Sequence, residues 1–206
     1  MQTRNILPIE TDRLMLHSLG VEFLRSISKS SIEKAQGLVD YHVPQNCSLL
    51  GHRQIGRRLR MIEADPCQHP WMYRAIVRKD DNMMIGFISF HHKAPDPDLS
   101  EYSELGAELG YTIEQEYRQR GYAKESAIGM MEWAYSNFGV RNFVLTISPG
   151  NHASLKMAES MNFAIVGEHD DQFDGLELVM KAEIGEILKT KRDCRRWDDM
   201  SKAVQK

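Results

Sequence analysis

Most of the features that assign a protein to a class at sight are missing from this chain. Its 206 residues include three cysteines, Cys47, Cys67 and Cys194, far apart and with no CxxC pair. That excludes a disulfide framework and offers no zinc-ligand spacing, so all three are expected to be reduced. No run of about 20 apolar residues occurs, and the first residues lack the basic, apolar and small-residue segments of a secretory leader. A cytoplasmic location without a membrane partner is the default expectation. An excess of either charge is missing too. A net charge of −3 and a sequence pI near 6.2 give no electrostatic reason to expect a nucleic-acid partner. Neither GxxxxGK[ST] nor GxGxxG is present, which argues against a nucleotide triphosphatase and a dinucleotide dehydrogenase.

What is there is ordinary for a globular protein: 42% apolar and 27% charged residues, enough for one domain with one core. The informative stretch is ELGYTIEQEYRQRGYAKESAIGMM, residues 108–131. Leu109, Tyr111 and Ile113 alternate with Gly110, Thr112 and Glu114, the period of a strand with one buried face. Past Arg120 the period changes, and Ala127, Met130, Met131 and Ala134 form the stripe of a helix flanked by Trp133. Gly121 stands where strand turns into helix. The first amides of such a helix carry about half a positive charge and lack intrahelical acceptors, so the turn suits an anion, above all a phosphate.

This segment resembles the [QR]xxGx[GA] signature of the GNAT acyltransferases, with Arg118, Gly121 and Ala123 at its defined positions. About thirty residues downstream, Asn151, Ser154 and Phe163 of NHASLKMAESMNF resemble the family's NxxSxxxxxxxGF block. ETDRLMLHSL, residues 10–19, is similar to the first strand of the ribosomal-protein acetyltransferase branch, the RimJ/RimL-like proteins. The resemblance covers residues 8–182. It implies an α/β (α+β) fold with a mixed, mostly antiparallel central sheet, splayed parallel fourth and fifth strands, and helices on both faces. It also implies acetyl coenzyme A as co-substrate, its pyrophosphate held by the amides of Arg118, Gln119, Arg120, Gly121, Tyr122 and Ala123. Backbone groups of Tyr111, Thr112 and Ile113, past a bulge in the fourth strand, would bond the thioester and the pantetheine.

In chain order, residues 12–19 read as a strand, followed by two short helical stripes, Phe23, Leu24, Ile27 and then Ile32, Ala35, Leu38, Val39. Residues 48–64 read as a helix with Leu49, Leu50, Ile55, Leu59 and Ile62 on one face and Arg53, Arg57, Arg58 and Arg60 on the others, a solvated face or a lure for an acidic acceptor. Residues 71–78 and 84–92 form a hairpin across KDDN. His91 and His92, adjacent on a strand, point to opposite faces and make poor joint ligands, so no metal is expected. A proline-bearing loop, 94–104, leads into the central strand. After the central helix come a strand at 142–148, a helix capped by Asn151, and a hairpin of 164–166 with 176–180. A crossover helix makes the fourth and fifth strands parallel neighbours. A domain over 1–182 and an amphipathic helical extension over 183–206 are expected, the latter docking on its own domain, reaching a second subunit in a homodimer, or touching an acidic partner.

Transfer of an acetyl group to an amine requires a neutral amine, a polarised thioester and a stabilised leaving thiolate. Glu108, two residues before the expected thioester contacts, is the candidate base, with Glu104 and His92 behind it. Many family members protonate the thiolate with a tyrosine seven residues after the asparagine, where this chain has Ala158. Ser154, or solvent, is left for that role, with helix capping and packing as its ordinary alternatives. Asn151 is either a helix cap or a cofactor contact. The expected activity is N-acetyl transfer by direct attack in a ternary complex, the acceptor being a protein N-terminus or a small-molecule amine. The alternatives are a coenzyme-binding, inactive regulatory module and an interaction protein acting through its basic tail.

Overall fold

The computed structural model describes residues 6–50, 54–99, 101–103, 105–171 and 175–191. The chain forms two compact units, one from Met1–Lys93 and Leu109–Met130, the other from Ala94–Glu108 and Met131–Lys206. Among the described residues no helix is long and apolar enough to cross a membrane.

In the first unit, strands β1 (Ile9–Glu10), β2 (Leu14–Ser18), β3 (Arg74–Arg78) and β4 (Met84–Phe90) pair antiparallel in that order, and β4 pairs antiparallel with Leu109–Ile113 of β5 (Gly106–Ile113). Helices α1 (Val21–Ser28), α2 (Ile32–Gln36) and α3 (Ile55–Ala64) contribute to its core. Phe23, Leu24 and Ile27 pack with Ile55, Leu59 and Ile62 and with Tyr73, Val77 and Phe87. The KDDN turn forms as expected, with Asn82 at φ 54° and its side-chain amide donating to the Asp40 carbonyl at 2.7 Å.

Two expectations fail here for tertiary reasons. The helix anticipated over 48–64 begins at Ile55, because the Ser48 amide donates to the Glu114 carboxylate at 2.7 Å and Leu50 closes a turn on Cys47. Arg58 does not lie on a solvated face either. It is 4% exposed and donates to the His91 carbonyl, while Arg57 and Arg60 are exposed. Arg53 and the runner-up base Glu104 lie outside the described residues.

In the second unit, Gly106–Glu108 of β5 pair parallel with β6 (Asn142–Ile147), which pairs antiparallel with β8 (Gly175–Glu183), and β8 with β7 (Ala164–Asp171). The final hairpin is longer than 164–166 and 176–180, and β7 ends the strand order. Helix α5 spans His152–Glu159. Residues 184–191 are helical, Ile184 and Ile187 are buried, and the Lys191 ammonium pairs with Glu132 at 2.6 Å. Trp197, Met200 and Val204 of the expected extension lie outside the described residues. The crossover that carries β5 to β6 is α4 (Tyr122–Phe138), whose residues as far as Met130 belong to the first unit. The expected stripe is realised: Ala127, Met130, Met131 and Ala134 are fully buried.

Candidate active site

β5 does not alternate between a buried and an open face. Its first four residues are all buried, Glu108 at 7% exposure, because a middle strand is covered on both sides, and Glu114, just past its end, is 8% exposed. A buried carboxylate needs donors, and each has one: the Thr146 hydroxyl on Glu108 Oε1 at 2.5 Å, the Ser48 amide on Glu114 Oε1 at 2.7 Å. The parallel ladder to β6 is only three pairs long and stops at Glu108 and Val144. From Leu109 onward β5 pairs with β4 alone, so Tyr111, Thr112 and Ile113 lie past the end of that ladder.

The bulge expected in this strand is absent from its pairing with β4, which runs one for one from Gly86 opposite Ile113 to Phe90 opposite Leu109. The irregularity lies one strand earlier. Ile76 faces Gly86 while Val77 faces Met84, which makes Ile85 the extra residue. Gly86 is required there. A Cβ on it would lie 2.1 Å from the Thr112 carbonyl oxygen, so its lack of a side chain lets β5 approach without an inserted residue.

After β5 a short 3-10 turn, Gln115–Tyr117, precedes the phosphate-turn candidate. Gln119 and Gly121 take left-handed backbone conformations, φ 60° and φ 80°, on either side of Arg120. The Gly121 carbonyl accepts the Glu125 amide at 3.0 Å, which makes Gly121 the residue that opens α4. The amides of Tyr122, Ala123 and Lys124 thus begin the helix, where neither an intrahelical acceptor nor a side chain on Gly121 stands in the way of an anion. Arg118 donates from Nε to the Ile113 carbonyl at 2.9 Å, tying the turn to the strand.

Two side chains that sequence reasoning did not assign, Arg13 and Arg78, lie beside the turn. The Arg13 guanidinium lies 4.5 Å from the Tyr122 ring centroid, and those of Arg78 and Arg120 lie 5.7 and 5.9 Å from the Tyr117 ring. Arg13 also donates to the Arg120 carbonyl at 3.0 Å and to Glu125 at 2.7 Å. The only signal for Arg13 in the sequence was its place in ETDRLMLHSL, which says nothing of its partners.

The remaining candidates belong to the second unit. Asn151 caps α5, its side-chain oxygen accepting the Ser154 amide at 3.2 Å. Ser154 is partly buried in the first turn of that helix, and Ala158, where a phenol was sought, is fully buried. Asn162 adopts φ 64°, the conformation that a glycine before Phe163 would take freely. The structure thus gathers Tyr111, Thr112, Ile113 and residues 118–123 in the first unit, and Glu108, Asn151 and Ser154 in the second.

A mixed sheet whose middle strand exchanges a parallel partner for an antiparallel one, and then runs through a left-handed turn into a helix, defines a mixed α/β protein with a strand–turn–helix junction at Gly121. Residues 35–164 match the family described as Acetyltransferase (GNAT) domain, and the chain belongs to that family. It is 22% identical over 86 residues to a Bacillus subtilis protein described as the uncharacterized N-acetyltransferase YnaD, a match spanning 42% of this chain and 46%, about half, of that relative. Among the solved structures that share the fold are the following two. The ribosomal-protein-S5-alanine acetyltransferase from Vibrio fischeri has a TM-score of 0.58 and 15% identity, covering 86% of this chain and 96% of that one. FdhC, described as a nucleotide-linked sugar GNAT, has a TM-score of 0.62 and 16% identity, covering 92% and 97%.

Proposed function

We propose that this protein transfers an acetyl group from acetyl coenzyme A to a primary amine. The observation that carries the proposal is the turn at 119–121, two left-handed residues that open the amides of α4 toward an anion. In this reading Arg118, Gln119, Arg120, Gly121, Tyr122 and Ala123 hold the pyrophosphate, and backbone groups of Tyr111, Thr112 and Ile113 hold the thioester arm. Asn151 adds a contact through the part of its amide not used as a cap.

The amine nitrogen attacks the thioester carbonyl carbon, the carbon–sulfur bond breaks, and the coenzyme leaves as thiolate. Glu108 accepts the proton that the amine must lose, and Ser154 or water donates one to the sulfur. The acceptor is a protein N-terminal amine, as the likeness to the ribosomal-protein-S5-alanine acetyltransferase favours, or a small-molecule amine, as the likeness to FdhC does. The catalytic domain is residues 1–182, with 183–206 as its extension, in a monomer or homodimer of the cytoplasm.

Acetyl coenzyme A at about 100 times its Kd should raise the melting temperature by roughly 5–10 °C through mass action. Gly121→Glu should abolish that shift by placing a carboxylate where the pyrophosphate sits. Thiol release should then appear with a panel of free-amino-terminus peptides, amino-sugar nucleotides and polyamines. No shift in the wild type, together with no thiol release across the panel, removes the proposal. A shift without turnover leaves the inactive regulatory module.

A further inference from the structure

Arg13 reaches the phosphate-turn candidate from a distant part of the sequence. From the β1–β2 connection, its Nη1 donates to the Arg120 carbonyl at 3.0 Å and its guanidinium lies 4.5 Å from the Tyr122 ring. A Cβ on Gly121 would come within 3.3 Å of its Nη2. Three successive turn residues, 120, 121 and 122, are therefore in reach of one side chain. Its Nε donates to Glu125 Oε2 at 2.7 Å, and its own amide donates to Oε1 at 2.7 Å, where the Thr11 hydroxyl joins it at 2.6 Å.

Glu125 is one turn into α4, and a carboxylate there would compete with or repel an anion at the helix start. The structure turns it away. Its side chain is 16% exposed and fully engaged by Arg13 and Thr11. The same face of α4 is held against β1 and β2 further along, where a Cβ on Gly129 would meet Thr11 Cγ2 at 2.7 Å. The helix start is thus fixed to the first two strands by one charged pair and one close backbone approach.

We propose that Arg13 is a positioning residue for coenzyme binding: it holds residues 120–122 in their anion-accepting conformation and neutralises Glu125 beside them. The proposal rests on the reading of 118–123 as the phosphate turn. It requires Arg13 to matter for a coenzyme that carries phosphate and to be silent for one that does not.

S-acetylpantetheine, which has the thioester arm without the pyrophosphate, supplies the contrast. Wild-type protein should use acetyl coenzyme A with a kcat/KM far above that for S-acetylpantetheine. Arg13→Met should raise the KM for acetyl coenzyme A by roughly tenfold, the worth of a charge-assisted hydrogen bond, with kcat within about twofold. Its kcat/KM for S-acetylpantetheine should not change. Equal loss on both substrates, or no loss on either, overturns the role of Arg13. A wild type without preference for the phosphate-bearing substrate overturns instead the phosphate-turn reading. If Arg13→Met does not fold, Arg13→Lys serves, since it keeps the charge but lacks the planar fork whose separate nitrogens, Nε and Nη1, serve Glu125 and the Arg120 carbonyl. It should lose roughly threefold on acetyl coenzyme A alone, and full retention refutes the proposal.

Discussion

The first unit builds its candidate site from backbone, whereas the second builds its own from side chains. The turn at 119–121 works through amides and left-handed φ values, and the side chains around it serve to hold the backbone in place. Glu108 and Ser154 are side-chain candidates, and each depends on what surrounds its functional atoms. The difference sets where substitution hurts. A backbone site tolerates most changes of its own side chains and fails where a new side chain intrudes or a brace is removed. A side-chain site fails at the named residue.

Glu108→Gln tests the side-chain half and should have the largest effect. It keeps the shape and the bond from Thr146 while removing the basic oxygen, so the second-order rate with the acceptor should fall roughly 100-fold or more, and the acidic limb of its pH profile should vanish. Retention of both would shift the base to His92, Glu104 or solvent.

Gly86→Ala tests the backbone half from the neighbouring strand. Its Cβ cannot coexist with the Thr112 carbonyl, so stability should drop by about 2 kcal/mol in urea titration, and the affinity for acetyl coenzyme A should weaken with it. Unaltered affinity in a destabilised variant would detach Thr112 from the thioester arm.

A smaller effect is expected at Ser154. Replacement by alanine leaves the cap donated by its backbone amide and removes only the hydroxyl, so kcat should fall roughly fivefold while coenzyme affinity holds. Equal change in both would mark the hydroxyl as part of the packing.

The smallest effect concerns stability against pH and bears on the first unit alone. Burial holds the His17 pKa below 6.5, so the fold prefers the neutral ring. That stability is fully present above pH 6.5 and is lost as pH falls through the lowered value, at no more than about 1.4 kcal/mol per pH unit for one proton. His17→Gln should flatten the urea midpoint between pH 6.5 and 5.

The same division explains how much could be read in advance. Gly121, the α4 stripe, the Asn82 turn and the Asn151 cap are set by local backbone conformation and residue spacing, and periodicity and turn chemistry register them. The parallel pairing of β5 and β6 followed from one crossover helix. The buried charges are another matter. Arg58 reaches a carbonyl 33 residues away, Glu108 a hydroxyl 38 away and Glu114 an amide 66 away. No local pattern records such pairs, so arginine read as solvated face and glutamate as the open side of a strand. Arg74, fully buried on the Leu16 and Pro70 carbonyls with its pKa drawn down to about 10 by burial, escaped notice for the same reason. Arg13 acts across 107 and 112 residues.

The outermost strand of the second unit, β7, carries its own protection. It exposes Ile165 and Val166 at 58% and 48%, on an edge whose backbone groups would template another chain. The rest of the strand reads GEHDD, with Glu168 and Asp170 exposed. Edge-to-edge stacking of copies would crowd those carboxylates together, so the acidic half acts as gatekeeper for the apolar half. Glu168→Val with Asp170→Val would give a chain that still folds yet forms fibres or precipitates.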